Sequence, residues 1–367
     1  MPSLAGGGAE RTLINLLQII DYNKYEVDLV LVLKKGPYLN QVPDHVHLIT
    51  LFNNEFLVRV LAYLQKKIGL SFFLKLKTIL KVKGTYDVGI SFLDGNFTDL
   101  LLFVKNIKKR YTWVHSSYKT YRNFARFYEN KRYKEKLKRN RYAVLDGIYF
   151  VSRDSMIEFI EIFGEFPNMQ VVYNPINANI VKEKSKESVA FIPGCFTFIA
   201  VGSLLPVKGF DRLIRASKII ADKGYKFELH ILGMGQEEEK LQDLIKDLNL
   251  SEFIKMKGFV NNPYPYMKQA DVFVMSSISE ALPTVLCEAM ILGKPTLVTN
   301  CSGCRELVSS GEYGMMAEQN DVDLANKMIQ YLSQPELVIE YGARSLKRSE
   351  LFDDKKIIQE YYDIFNS

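Results

Sequence analysis

The sequence predicts an α/β fold built from two Rossmann-like, doubly wound domains in tandem. Apolar runs of strand length alternate with helical patterns from end to end, as in parallel sheets covered by helices. At 367 residues the chain is long for one core, so two domains are expected. Apolar content of 47% and charged content of 25% are those of a soluble globular protein able to bury two cores.

The elements follow in order. A helix near 9–20 repeats apolar residues at Leu13, Leu16, Leu17 and Ile20. First-half strands are expected over 27–33, 87–92, 111–115 and 148–152, with further helices near 58–80, 118–143 and 154–163. In the second half strands fall at 198–201, 228–232, 254–257, 271–275 and 296–299, with helices near 210–223, 236–248 and 284–292. The domains are read as 1–175 and 190–345. The boundary lies within 173–193, where Asn174-Pro175 ends a strand-like run and the polar stretch KEKSKES (182–188) has the makeup of a linker. Residues 346–367 hold an amphipathic helix that could return to brace the first domain.

Charge and cysteine usage narrow the function classes. No apolar run reaches the roughly 18 to 20 residues of a spanning helix, and Met1-Pro2-Ser3 opens no secretory signal. The four cysteines, Cys195, Cys287, Cys301 and Cys304, fit a reducing cytoplasm. Cys301-Ser-Gly-Cys304 has redox or zinc-ligand spacing, but with no second pair these are read as small residues in a loop after the strand at 296–299. The net charge is +6. Over 105–141 basic residues heavily outnumber the acids Glu129 and Glu135, with aromatics interleaved, a composition that favours an anionic partner. Over 56–83, leucine, isoleucine and phenylalanine mix with Arg59, Lys66, Lys67, Lys75, Lys77, Lys81 and Lys83. Two readings fit: a helix on an anionic membrane surface, or a core helix with a solvated basic face. Nucleic acid is not expected as a partner, since no recognition signature accompanies the charge.

The densest chemistry lies at 279–290, SEALPTVLCEAM. Pro283 suits the first position of a helix, which puts Glu280 on the preceding loop and Glu288 inside the helix. The N–H groups of a helix start are a seat for phosphate. Carboxylates suited to sugar hydroxyls beside such a seat point to a nucleotide-sugar site. Glu-x7-Glu alone is a weak signal and is most often a solvated face, but Glu288 is flanked by Leu286, Cys287, Ala289 and Met290, where an unpartnered carboxylate is costly.

Upstream, Val201-Gly202-Ser203 ends a strand and leads through Pro206 and Lys208-Gly209 into the helix at Phe210, an arrangement favouring a diphosphate. Leu232-Gly233-Met234-Gly235 ends the next strand in the same way. Gly6-Gly7-Gly8 opens the first helix, where glycines permit close backbone approach; a flexible tail is the alternative. His115 sits at a strand's carboxyl end, the expected wall of a site, although a lone histidine is often structural.

Together these residues resemble glycosyltransferase family 4, the retaining nucleotide-sugar transferases of the GT-B fold. The similarity covers nearly the whole chain and is strongest over 198–317. There VGSLLPVKGFDRLIRA, HILGMG, GFVNNPYPYMKQADVFVMSS, SEALPTVLCEAM, GKPTLVTNCSGCREL and Gly314 follow in the family's order. The resemblance implies two domains facing across a cleft. It implies that Glu280 bonds hydroxyls of the donor sugar, Glu288 grips the ribose and Lys208 neutralises the diphosphate. Backbone amides at the helix start, from Leu282 through Pro283, Thr284 and Val285 to Leu286, would assist Lys208. Gly233 and Gly235 would line the nucleotide, Phe259 and Val260 would frame the base, and Gly7 and Gly8 would approach the diphosphate. His115 would lie near the reacting carbon.

Two departures stand out. Ser203 occupies the place of the family's usual arginine, so half of the cationic clamp is absent, with Arg11 a candidate substitute. The family's first strand, which normally precedes the glycine loop, is missing, and the reading frame is expected to begin upstream. The function implied is a cytoplasmic retaining hexosyltransferase, peripheral on the inner face of the membrane. It would move sugar from a nucleotide-diphosphate-sugar to a lipid-linked saccharide in capsule or other surface-polysaccharide synthesis. No metal or other cofactor is expected, since no Asp-x-Asp pair ends a strand. The alternatives are a silent homologue serving as a binding subunit, and a sugar-nucleotide epimerase of similar architecture.

Overall fold

The alternating pattern resolves into two units, each with parallel strands and covering helices, in a computed structural model that describes residues 1–5, 7–58, 60, 72–118, 130–189 and 194–367. One unit comprises Met1–Pro175 with Asp354–Ser367, the other Ile176–Asp353.

In the first unit, α1 (Gly8–Ile19) buries Leu13, Leu16 and Leu17, the spacing that predicted it. Then come β1 (Val27–Leu33), β2 (Val46–Phe52), α2 (Phe72–Lys81), β3 (Tyr86–Ser91), α3 (Asn96–Leu102) and β4 (Ile107–Val114). They are followed by α4 (Lys131–Asn140), β5 (Gly147–Phe150), α5 (Arg153–Phe163) and β6 (Met169–Val171). β1 and β2 pair in parallel, Val27 opposite Val46, while β3-β4-β5-β6 form a separate parallel sheet. Residues 1–4 lie along β1. The Val32 and Leu33 N–H groups donate to the Met1 and Pro2 carbonyls at 3.0 and 2.9 Å, and Leu4 N–H donates to Lys35 O at 2.8 Å. Gly36 (φ +124°) is needed here, because a Cβ would stand 1.8 Å from Leu4 O.

Several expectations are corrected. β2, α3 and β6 were not anticipated; β6 is only three residues long and declares itself through its pairing with β5. The continuous helix expected over 118–143 is not observed at either described edge. Residues 117–118 are not helical, and α4 starts at Lys131, with the Asn130 side chain accepting from Tyr133 N at 2.9 Å. Residues 119–129, with Tyr121, Phe124, Phe127 and Tyr128, lie outside the described residues, as do Gly6 and, within the helix expected over 58–80, Arg59 and 61–71.

The second unit opens with α6 (Ala178–Lys184), whose last three residues begin the stretch 182–188 read as a linker. Asn177 caps it by accepting from Ile180 N at 2.9 Å, Val181 is buried, and Lys182 and Lys184 fall in the last turn, where they complement the helix dipole. A polar sequence thus makes a packed helix. It is followed by β7 (Thr197–Val201), α7 (Phe210–Asp222), β8 (Glu228–Leu232), α8 (Glu238–Asp247), β9 (Ile254–Met256), α9 (Tyr264–Gln269) and β10 (Val272–Met275). α10 (Thr284–Ile291), β11 (Thr296–Thr299), α11 (Ser302–Leu307), β12 (Met315–Ala317), α12 (Asp321–Ser333) and α13 (Glu336–Arg348) complete it. The strand order is β12-β11-β10-β7-β8-β9, all parallel. The winding direction reverses beside β7, so the carboxyl ends of β7 and β10 mark the switch point where ligands bind in such sheets. Phe198, Leu213, Ile214, Leu229, Ile231 and Val272 sit in one core, each such side chain contributing about 1.5–3 kcal/mol on burial.

The chain then returns to the first unit as α14 (Asp354–Asn366). Tyr361 stacks on Trp113 with ring centroids 5.0 Å apart, and Tyr362 Oη accepts from Asp21 N at 2.8 Å. Among the described residues no helix is long and apolar enough to cross a membrane.

Candidate active site

Lys208 and Glu280 meet at the switch point of the second unit. Lys208 closes a one-turn 3-10 helix (Pro206–Lys208) after β7, and Gly209 follows in the left-handed conformation, φ +61°. Only glycine fits there, because a Cβ would stand 2.3 Å from Ser276 O at the end of β10. That close approach brings the two loops together. Ile278 N–H donates to Val207 O at 2.8 Å, and Ser276 Oγ donates to Lys208 O at 3.0 Å. Lys208 Nζ then reaches Glu280 Oε1 at 2.6 Å, and the same oxygen accepts from Ser277 Oγ at 2.8 Å. The side chains are only 22% and 12% exposed, so the pair is shielded from water and from salt screening.

The helix after it begins at Thr284, as the reading 284–292 expected, but Pro283 precedes it instead of being its first residue. Pro283 is the N-cap of α10, and Thr284 is the first helical residue. The Thr284 and Val285 N–H groups have no acceptor within the helix by helix geometry, and both residues are half-buried, whereas Leu282, Pro283 and Leu286 are buried. Glu288 is 8% exposed in the apolar run and accepts from Tyr264 Oη at 3.0 Å, the kind of partner such a carboxylate needs. Gln319 Nε2 braces the loop by donating to Ile278 O at 2.9 Å and Asn300 O at 3.0 Å. Gly303 N–H holds Glu280 O at 3.0 Å.

Gly233 and Gly235 owe their identity to chain packing. A Cβ at Gly233 would fall 1.8 Å from Gly202 O, and one at Gly235 would fall 2.4 Å from Leu204 O. The loops after β7 and β8 therefore touch backbone to backbone. Ser203 is exposed after β7, Val260 is half-buried, and Phe259 beyond β9 presents a ring 61% exposed.

Cys301 lies in the loop after β11, as expected, whereas Cys304 does not. Cys301 is the N-cap of α11, and Cys304 is buried inside that helix, its thiol pushed well above the usual range by its hydrogen bond with Cys301 and by burial. All four cysteines are free thiols, and among the described residues no group of three His, Cys, Asp or Glu side chains is placed to hold a metal.

In the first unit, Gly7 is the N-cap of α1 and Gly8 its first residue, so a helix start stands where a flexible tail was the alternative. A Cβ on Gly8 would meet nothing within 4 Å. His115 follows β4, its ring 4.8 Å from that of Phe92, and its Nε2 is buried without a hydrogen-bond partner among the described residues. Burial pushes the imidazole down to about 3, so it is neutral near pH 7. Arg11 is engaged within its own unit. Its Nη1 donates to Gln41 Oε1 at 2.8 Å, and its guanidinium lies 4.2 Å from the Tyr38 ring centre.

Three residues of the second-unit site escaped the sequence reading: Ser277, Tyr264 and Arg212. Arg212 Nη1 donates to Ser276 O at 3.1 Å, and the guanidinium stands 3.4 Å from the ideal Cβ position of Gly209. Among the described residues it has no ion-pair partner. Nothing local in KGFDRLIRA marks it out, because its position depends on the contact between Gly209 and β10.

Residues 181–348 match the family Glycosyl transferases group 1. An uncharacterized glycosyltransferase of Haemophilus influenzae is 28% identical over 365 residues, covering 98% of this chain and 96% of the relative. The N-acetylgalactosamine-N,N'-diacetylbacillosaminyl-diphospho-undecaprenol 4-alpha-N-acetylgalactosaminyltransferase of Campylobacter jejuni is also 28% identical, over 382 residues, 98% of this chain and 96% of that one. Among solved structures, Anabaena HepE in complex with UDP and glucose superposes with a TM-score of 0.74 at 19% identity, over 98% of this chain and 96% of that chain. WaaG, a glycosyltransferase involved in lipopolysaccharide biosynthesis, gives 0.66 at 15% identity, over 98% and 96%. The fold is thus the GT-B type, with two Rossmann-like parallel-sheet domains. The chain is a homologue of glycosyltransferases along nearly its whole length, and over 181–348 it carries a glycosyl transferase group 1 domain.

Proposed function

We propose that this protein is a retaining, nucleotide-sugar-dependent hexosyltransferase acting on a lipid-linked saccharide at the inner face of the membrane. The observation that carries the reading is the shielded Lys208–Glu280 pair beside the open start of α10, at the switch point of a glycosyl transferase group 1 domain. In the free protein the two charges satisfy each other. An arriving diphosphate competes for Lys208 and for the Thr284 and Val285 N–H groups, and Glu280 turns to hydroxyls of the sugar. Glu288, held by Tyr264, binds the ribose, and the exposed Phe259 ring stacks on the base.

As the anomeric bond breaks, negative charge gathers on the leaving diphosphate, and preorganised cations and N–H dipoles there lower the barrier. The acceptor hydroxyl attacks from the same face, and the departing phosphate oxygen takes its proton, so the anomeric configuration is retained. Ser203 supplies no cation, and Arg212 is the second positive charge within this unit's site. Fixed cations rather than a metal ion carry the charge in this scheme. The name of the Campylobacter relative includes a diphospho-undecaprenol acceptor, which supports a lipid-linked saccharide here.

The test is mass-detected slow hydrolysis across a panel of nucleotide sugars. One or a few donors are expected to break down, with the sugar first released, read by NMR, in the anomeric configuration of its donor, and Lys208→Ala is expected to abolish the signal. Breakdown of no donor, together with no calorimetric binding of nucleotide diphosphates, would overturn the proposal in favour of a silent binding subunit.

A further inference from the structure

Cys301-Ser-Gly-Cys304 is a motif that the proposed reaction leaves unused, yet it adjoins the centre of the site. Cys301 is the N-cap of α11, with extended backbone angles (φ −133°, ψ 162°), and its side chain does not cap the helix. Serine, threonine, asparagine or aspartate is the usual residue at such a position, since each accepts from a free helix N–H. The Cys301 thiol instead meets the Cys304 thiol in a hydrogen bond. Cys301 is 5% exposed and Cys304 wholly buried, its Sγ 3.8 Å from Met275 Sδ at the end of β10.

The segment between the two sulfurs holds the loop that carries Glu280. Gly303 N–H donates to Glu280 O at 3.0 Å, and a Cβ on Gly303 would stand 2.2 Å from Ala281 O, so backbone lies against backbone. Just upstream, Thr299 Oγ1 donates to Ser277 O at 2.5 Å. The charges of Glu280 and Lys208 both reach Cys304, with opposite effects on its thiol. Side chains three apart on a helical turn have Cβ atoms about 5–6 Å apart, whereas a disulfide requires about 3.5–4.5 Å between them. Closing that gap takes a movement of about 1–2 Å. Cys304 is locked within α11 and against Met275, so Cys301, outside the helical turn, must supply the movement, and Ser302 and Gly303 follow it.

We infer that Cys301 and Cys304 form a reversible disulfide under hydrogen peroxide, and that its closure draws Gly303 from Glu280 and releases the loop between β10 and α10. The Cys301 thiolate attacks one peroxide oxygen, the O–O bond breaks, and hydroxide leaves with the proton that Cys301 gave up, forming water and a sulfenic acid. An oxidant this small suits a thiol so little exposed. Burial and the hydrogen bond keep Cys304 a neutral thiol, so it reacts second. Its sulfur attacks the sulfenic sulfur, the S–O bond breaks, and the departing hydroxide takes the Cys304 proton as a further water. Two thiols and one peroxide thus give one disulfide and two waters, and a dithiol reverses the step by exchange. The disulfide stands apart from the transferase reading; its effect, a lowered rate of transfer through displacement of Glu280, rests on that reading.

The experiment treats the full chain carrying Cys195→Ser, which removes the exposed thiol, with hydrogen peroxide and maps its peptides by mass without reduction. A disulfide between 301 and 304 is expected, and dithiothreitol should remove it. In the oxidised form amide exchange over 276–284 should quicken, and slow donor hydrolysis should fall by about tenfold to a hundredfold, the loss that a displacement near 1 Å can cause. Circular dichroism should be unchanged and reduction should restore the rate. Cys301→Ser, which puts a favoured residue at the N-cap, should hydrolyse donor like the untreated parent and lose the response to peroxide. Cys304→Ala should lose the response as well. Absence of the disulfide from the treated parent would overturn the inference, as would a disulfide that leaves both exchange and hydrolysis unchanged. So would a response retained by both variants, which would place it on another group. A disulfide with quickened exchange, in a protein that hydrolyses no donor and binds no nucleotide diphosphate, would refute the transferase reading and leave the redox-sensitive loop standing.

Discussion

Lys208 and Glu280, 72 residues apart in sequence, form a 2.6 Å ion pair, and Ser277 binds the same carboxylate oxygen. The pair sets the resting charge of the site, because neither member can leave without exposing the other. Lys208→Ala should lower transfer by about two to three orders of magnitude, the usual loss when one preorganised group at developing charge is removed. Glu280→Gln, which retains a partner for Ser277, should unfold at nearly the wild-type temperature while losing transfer. Steady-state rates and thermal melts of both variants check this.

Tyr264 touches Glu288 through one hydroxyl at 3.0 Å. A hydrogen bond to a charged group contributes about 1.5–3 kcal/mol. Tyr264→Phe should therefore raise the donor KM by roughly tenfold or more, with kcat nearly unchanged, if Glu288 acts in binding rather than in the chemical step. A fall in kcat at constant KM would contradict that division of labour.

Arg212 is expected to carry part of the work that Ser203 cannot. Arg212→Ala should reduce kcat by about tenfold to a hundredfold, and Arg212→Lys should restore part of it. Arg11→Ala, which removes a group held by Gln41 and Tyr38, should leave kcat unchanged. The reverse ranking would place the second cation in the first unit.

His115 makes stability depend on acid. Its folded value of about 3 lies below the ordinary 6.5, so folding favours the neutral ring. The stability this represents is complete above pH 6.5 and is lost as pH falls from there toward 3, at about 1.4 kcal/mol per pH unit. His115→Phe should therefore flatten the acid side of a urea-denaturation profile below pH 6.5, compared with wild type at the same pH values.

Trp113 is the only tryptophan in the chain and stacks on Tyr361 of α14 and, at 4.4 Å, on Tyr149. Removal of residues 354–367 uncovers one face of the indole and removes buried Ile357 and Ile364. The emission maximum should shift to the red and the first unit should melt at a lower temperature. An unchanged spectrum would show that the stack with Tyr361 does not shield the indole.

The sequence by itself determined what depends on neighbouring residues. The run VDLVLVL became β1, Leu13, Leu16 and Leu17 became the buried face of α1, and the segment around Pro283 became a loop, a cap and a helix. Periodicity, a proline's missing N–H and a glycine's freedom act over a few residues and can be read there. Where such signals were weak the reading failed. KEKSKES hid most of the last turn of a capped helix, Cys304 belonged to α11 rather than a loop, and three-residue β6 and β12 exist only through their partners.

Tertiary structure alone decided the pairings. Glu280 was legible as a site residue, but its bond to Lys208 arises because sheet order puts β10 beside β7 and because Gly209 lets their loops touch. The same contact placed Arg212 and Ser277, and the packing of α9 brought Tyr264 to Glu288. On α2, composition left a core helix and a surface helix equally open. Packing of half-buried Leu74 and burial of Thr78, with exposure of Leu76 and Leu80, separated the two faces, because which side of a helix meets the core is set by the sheet beneath it.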